Sequence, residues 1–240
     1  MRDTITGQGT LAIGGTPITI SFTVPKGVCG AEALLKDVNG LATKVTDIAV
    51  ARVENEGRQV SCAKGCGACC RQMVPVTPTE ARHLAALIDK MPAKRAATLR
   101  ARFAHARSTM DAADLPPRGH PDSDKAAYHA FGLAWFRQGV PCPFLEDESC
   151  SIHPERPLVC REYLVTSPAA HCATLGSGQV RVVPIPLRVW SSFGRSVEPD
   201  GHLVWMPLCD SLDFVENQPA ADDDRTGPQR VAALLKEIQE

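Results

Sequence analysis

The 240-residue sequence predicts a mainly α-helical protein with a small N-terminal β-hairpin and irregular proline-rich loops, α+β overall. Three observations carry this. Apolar and polar residues alternate only in the first 25 positions, apolar residues then recur at helical spacing as far as about residue 138, and prolines crowd the stretches around the later cysteines. Period two argues strand and period 3.6 argues helix, so the switch between them divides the chain.

In the hairpin, Leu11 and Ile13 precede Gly14-Gly15, and Ile18, Ile20, Phe22 and Val24 follow with Thr and Ser between them. Alternation interrupted by Gly-Gly is a hairpin signal, which Pro25 and Gly27 close. From about Gly30 to Glu56, Leu34, Val38, Leu41, Val45 and Ile48 fall on one helical face. Thr77-Pro78-Thr79-Glu80 reads as a capping box opening a helix to about Lys90. Pro92 opens an alanine- and arginine-rich helix to about Met110, and Asp122 or Ser123 starts another to about Gln138, carrying Tyr128, Phe131, Trp135 and Phe136. That aromatic stripe reads as core. Prolines 184 and 186 lie among Val182, Val183, Ile185, Leu187, Val189 and Trp190, and Leu203 to Cys209 contains Pro207. Proline is kept out of sheet interiors, so both stretches are expected to be edge strand or extended coil. Pro219 to Gly227 reads as an acidic linker before a last helix from about Pro228 to Ile238.

The expected organisation is 1–58 for the hairpin and first helix, 59–175 for a cysteine-bearing domain, 176–218 for extended segments on the core, and 219–240 for the linker and last helix. A hydrophobic fraction of 44% and a charged fraction of 22% match soluble globular proteins and argue against disorder. No apolar run approaches a membrane span and the N-terminus has no apolar signal core, so a cytoplasmic location is expected. With 26 Lys and Arg against 27 Asp and Glu, the chain lacks the basic footprint of a nucleic-acid binder. A protein partner or substrate stays open.

Ten cysteines in a reducing compartment point to metal or redox chemistry more than to disulfides, which export would favour. Eight of them fall in two groups: Cys62, Cys66, Cys69 and Cys70, then Cys142, Cys150, Cys160 and Cys172. Cys66-Gly67-Ala68-Cys69 has the two-residue spacing of a metal knuckle, and Cys62 is placed to join it. Neighbouring side chains diverge, so a mononuclear site is expected to use one of Cys69 and Cys70, whereas a polynuclear or two-metal centre can use both. Arg156 and Arg161 stand among the second group and can offset thiolate charge. The loops therefore surround an expected metal site, an iron–sulfur cluster or zinc, with these eight cysteines as ligands. Cys29 and Cys209, isolated in apolar surroundings, read as small buried hydrophobes. His153 and His171 adjoin cysteines and are secondary ligand candidates; His83, His105, His120 and His129 read as structural.

The ordered pair of motifs, Cys62-x3-Cys66-Gly-x-Cys69-Cys70 and then Cys142-Pro-Phe-Leu with Cys150-x-Ile-His-Pro-Glu-Arg-Pro-x-x-Cys160-Arg-x-Tyr163, resembles the YkgJ-like, CxxCxxCC-type cysteine-cluster family over about residues 60–175. The resemblance implies a zinc- or iron-chelating domain whose eight cysteines match the eight above, Cys172 lying beyond the motif. The family usually has Tyr where this chain has His153. A similar cluster in flagellin lysine-N-methylases links the family to protein modification by analogy.

Two functional classes follow. One is a metal-binding protein with a cysteine-ligated iron–sulfur or zinc centre; the alternative is an iron–sulfur enzyme, an oxidoreductase or a protein-modifying, methyltransferase-like activity, using the same cluster. The spacing of Cys62, Cys66 and Cys69 also occurs in radical S-adenosylmethionine enzymes, but the repeated strand–helix units of a barrel do not accompany it. No dinucleotide or phosphate-loop fingerprint is present. A disulfide exchanger built on Cys66 and Cys69 would leave six grouped cysteines unexplained.

Overall fold

The computed structural model describes residues 3–174, 178–218 and 223–239. Strands β1 (Thr4–Ile13) and β2 (Thr16–Pro25) pair antiparallel, with Ile13 opposite Thr16 and Leu11 opposite Ile18. Gly14 and Gly15 take positive φ, 54° and 85°, the conformation a two-residue hairpin turn needs. The inward residues Leu11, Ile13, Ile20, Phe22 and Val24 are buried. They pack on α1 (Leu35–Asn55) and α8 (Gly227–Gln239). Helix α1 starts later than its apolar spacing suggests, because Ala31–Leu34 forms a 3-10 turn.

Strand β3 (Pro75–Val76) leads into α2 (Pro78–Asp89), whose capping box is complete: Thr77 Oγ1 accepts from Glu80 N and Glu80 accepts from Thr77 N. Helix α3 (Ala93–Asp111) packs beside it through Leu99 and Phe103, and its Arg95, Arg100, Arg102 and Arg107 each bond a carboxylate. Helix α4 (Lys125–Arg137) is capped by Asp124 and buries Phe131 and Trp135 in the same core as the hairpin, as the aromatic stripe predicts.

The proline-containing stretches depart from the extended reading. Val182 forms a single bridge and the chain bends at 186–187 without a strand, but α6 (Val189–Val197) and α7 (Ser211–Asn217) are helices. Proline's bar on regular structure reaches only its own turn, and beyond Pro186 the residues Val189, Trp190, Phe193 and Val197 have helical spacing. Strand β6 (Met206–Pro207) pairs with β3 for two residues. The acidic linker falls partly on residues 219–222, which lie outside the described residues; beyond them, Arg225 is bonded to Asp223 and to the carbonyls of Ser196 and Val197.

Among the described residues three apolar clusters result, one under the hairpin, one joining α2, α3 and α7 to Phe144, Ile152 and Leu208, and a small one of Ala49, Val53 and Val183. The cysteine loops lie beside them: Leu158 is in the first cluster, while Cys142 and Cys150 pack against the second. No helix among the described residues is long and apolar enough to cross a membrane.

Candidate metal centre

The first cysteine group lies between α1 and β3 in a chain of tight turns. Cys66 N donates to Ala63 O at 3.1 Å, Cys70 N to Gly67 O at 2.9 Å and Gln72 N to Cys69 O at 3.0 Å. Gly67 has a specific steric reason to lack a side chain, since a Cβ there would stand 2.5 Å from the carbonyl oxygen of Glu148. The knuckle thus rests directly on backbone of the second group.

That second group begins with a join: Cys142 N donates to Cys70 O at 2.7 Å. A small hairpin follows, β4 (Leu145–Glu146) and β5 (Ser149–Cys150), pairing Leu145 with Cys150. Its turn, Asp147-Glu148, takes positive φ at both residues. Arg71, next to Cys70, grips the turn with a two-pronged bond to Glu148 at 2.9 and 2.6 Å. Cys160 is carried by α5 (Leu158–Glu162), a single short turn of helix with no side-chain cap of its own. Its first N–H, on Leu158, is instead bonded by the second carboxylate oxygen of Glu80 at 2.8 Å. At the far side, Ser61 N donates to Val165 O at 2.9 Å, and Val165 N donates to Cys62 Sγ at 3.4 Å.

These joins bring all eight predicted ligands, Cys62, Cys66, Cys69, Cys70, Cys142, Cys150, Cys160 and Cys172, onto the wall of one cavity of about 300 Å³. All ten cysteines of the chain are free thiols. Among the described residues no three His, Cys, Asp or Glu side chains are grouped so as to hold a metal ion as they stand. Cys69 and Cys70, expected to diverge, both face this volume, and hydrogen bonding with Cys70, together with burial, holds the Cys69 thiol far above its ordinary range. Burial pushes Cys142 up to about 12 and Cys172 up to about 11. Cys160 is also raised, by burial and then by the neighbouring thiols of Cys142 and Cys69. Burial and neighbouring thiols therefore favour the neutral form of Cys69, Cys142, Cys160 and Cys172, and a bound metal would supply the charge that makes them thiolates. Soft, deprotonatable sulfur is the donor type that zinc and iron–sulfur centres take, so the residues fit the expected cofactors.

His153, Arg156 and Tyr163 also line the cavity. Arg156 Nη1 donates to His153 Nε2, and burial, then Arg156, lowers the His153 pKa. His171 lies off the cavity wall, its Nδ1 3.3 Å from the carbonyl of Gln179. Cys29 and Cys209 are buried away from the cavity, Cys209 beside Asp210. His83 pairs with Glu155 and His120 with the Leu203 carbonyl. Two supporting residues escape a sequence reading. Glu80 is legible only as the cap of its own helix, and its reach to Leu158 is tertiary. Glu162, almost fully buried, accepts Trp190 N at 3.0 Å and so caps α6 from another element. Tyr163 was visible as a motif position, but not as a cavity wall hydrogen-bonded to Gln72.

A helical scaffold that gathers eight free thiols around one cavity defines a cysteine-rich chelating domain. Residues 61–173 match the model of the CxxCxxCC family, whose description is "Putative zinc- or iron-chelating domain". No curated protein and no solved structure matches the chain.

Proposed function

We propose that residues 61–173 hold a polynuclear thiolate-bound metal centre, an iron–sulfur cluster or a two-ion zinc site, ligated jointly by Cys62, Cys66, Cys69, Cys70, Cys142, Cys150, Cys160 and Cys172. The observation that carries this is the single cavity walled by all eight thiols. A closed zinc site uses four ligands and leaves no such space, whereas about 300 Å³ has room for several atoms of a cluster. Adjacent Cys69 and Cys70 on the same wall support the reading. The work of the protein is to bind this metal, and the chelating chemistry is that of the matched family.

The chain's own residues set the terms of binding. The joins between Cys70 and Cys142, and between Cys62 and Val165, hold the two groups together, so loss of either group should empty the centre. Separate Cys66→Ser and Cys150→Ser substitutions should each release metal, measured by elemental analysis of the purified full-length protein; full retention in both contradicts the joint site.

One observation favours a second reading, an iron–sulfur enzyme in the oxidoreductase or protein-modifying class. Tyr163 brings a phenol hydroxyl to the same cavity, a polar group that neither the thiol ligand set nor its charge balance requires. Retained chelation with a metal-dependent absorption change on exposure to small thiols or peptides would support it, and a spectrum indifferent to both would count against it.

A further inference from the structure

The sequence offers two arginines, Arg156 and Arg161, as counter-charges for the thiolates, and the structure separates them. Arg161 is committed to backbone: its Nε donates to the carbonyl of Arg156 at 3.1 Å and its Nη2 to that of Pro154. It braces the 154–161 loop. Arg156 lines the cavity, and its Nε is buried without any hydrogen-bond partner. One end of the same guanidinium is fixed, because Nη1 donates to His153 Nε2. A buried arginine N–H left without an acceptor is costly and calls for an absent partner. The candidates on the same wall are the cavity's sulfurs, those of Cys62, Cys69 and Cys150 among them. Lys64, the other cation on the cavity lining, is solvent-exposed.

We propose that Arg156 is the positioning and charge-compensating residue of the centre, its Nε–H hydrogen-bonding a metal-bound cysteine sulfur of the cavity wall. This rests on the reading that the eight thiols hold metal. His153 then acts through Arg156: by accepting Nη1–H it fixes the guanidinium. The role is that of an outer residue that orients and neutralises ligands, and loss of such partners typically costs about 10- to 100-fold in metal affinity. Hydrogen bonds to cluster sulfurs also set reduction potential.

The test uses full-length protein purified anaerobically, with EDTA as the competing chelator. Arg156→Gln should fold with an unchanged far-ultraviolet circular dichroism spectrum and release its metal at about 10- to 100-fold lower EDTA than wild type. Arg156→Lys, which keeps the charge but not the planar fork, should fall between the two. If the metal is iron, the reduction potential of Arg156→Gln should move to more negative values. Release of metal at the wild-type EDTA concentration overturns the role of Arg156, while wild-type protein that carries no metal overturns the underlying reading as well. Should Arg156→Gln fail to fold, wild-type protein labelled with nitrogen-15 at arginine gives an independent measurement. Zn(II) loading should shift the Arg156 Nε–H resonance and slow its exchange with water, and an unmoved resonance overturns the proposal.

Discussion

Strands β1 and β2 bury five large apolar side chains against α1 and α8, whereas the loops 62–70 and 142–172 gather mostly half-buried thiols, the buried carboxylate of Glu162 and a partnerless guanidinium nitrogen, with the buried Glu80 carboxylate reaching in from α2. The hairpin region gains stability from area removed from water, about 25 cal/mol per Å². Around the cysteines, backbone hydrogen bonds and the carboxylates of Glu80 and Glu162 hold a shape whose centre is occupied by groups that disfavour one another's ionisation. One region folds for its own sake. The other is arranged for a cation, and metal should matter to it alone.

The sharpest way to break that contrast is to remove the metal with EDTA. Amide hydrogen exchange should then quicken by at least about tenfold in the loops 62–70 and 142–172 and remain slow in β2 and α1, because metal binding free energy is folding free energy only where the ligands are. Equal acceleration in both regions would refute the division. Phe22→Ala probes the other side. Phe22 is buried at 3% exposure, and its truncation should cost about 3–5 kcal/mol in chemical denaturation while leaving the metal-to-protein ratio of the folded fraction unchanged.

The buried carboxyl of Glu162 gives a smaller, pH-dependent effect. Burial pushes it up to about 7 from its ordinary 4.5, so the folded chain holds a proton that the unfolded chain has released. Its contribution is fully present below about pH 4.5 and is lost as pH rises through about 7, a fall of up to about 3 kcal/mol. Glu162→Gln should flatten that part of the denaturation-midpoint profile between pH 5 and 7.5; an unchanged slope would place the titration elsewhere. Gly67→Ala should have the mildest effect, about 1–3 kcal/mol of strain. A Cβ would meet the Glu148 carbonyl oxygen at 2.5 Å, so the knuckle must shift and metal affinity should weaken. Wild-type affinity in this variant would show that the knuckle does not bear on the second group.

The same division governs what the sequence reveals. The hairpin was legible because period two and Gly14-Gly15 are local signals, and α2 because Thr77, Pro78 and Glu80 spell its start. The two cysteine groups and their motifs were legible too, and the family match over 61–173 agrees with the resemblance they carry. Helices α6 and α7 were hidden by nearby prolines, and α6 also takes its cap from Glu162, a residue 28 positions from Trp190. The meeting of Cys69 and Cys70 on one cavity wall, and the parting of Arg156 from Arg161, depend on loop paths that no spacing encodes.

The central claim is that both cysteine groups hold one centre of more than one metal ion. Elemental analysis of anaerobically purified wild-type protein, taken with its visible absorption spectrum, tests it most directly. The account predicts more than one zinc or iron per chain, with broad visible absorption and a brown colour if the metal is iron. A colourless protein with a single zinc per chain, or a protein with no metal, would contradict it.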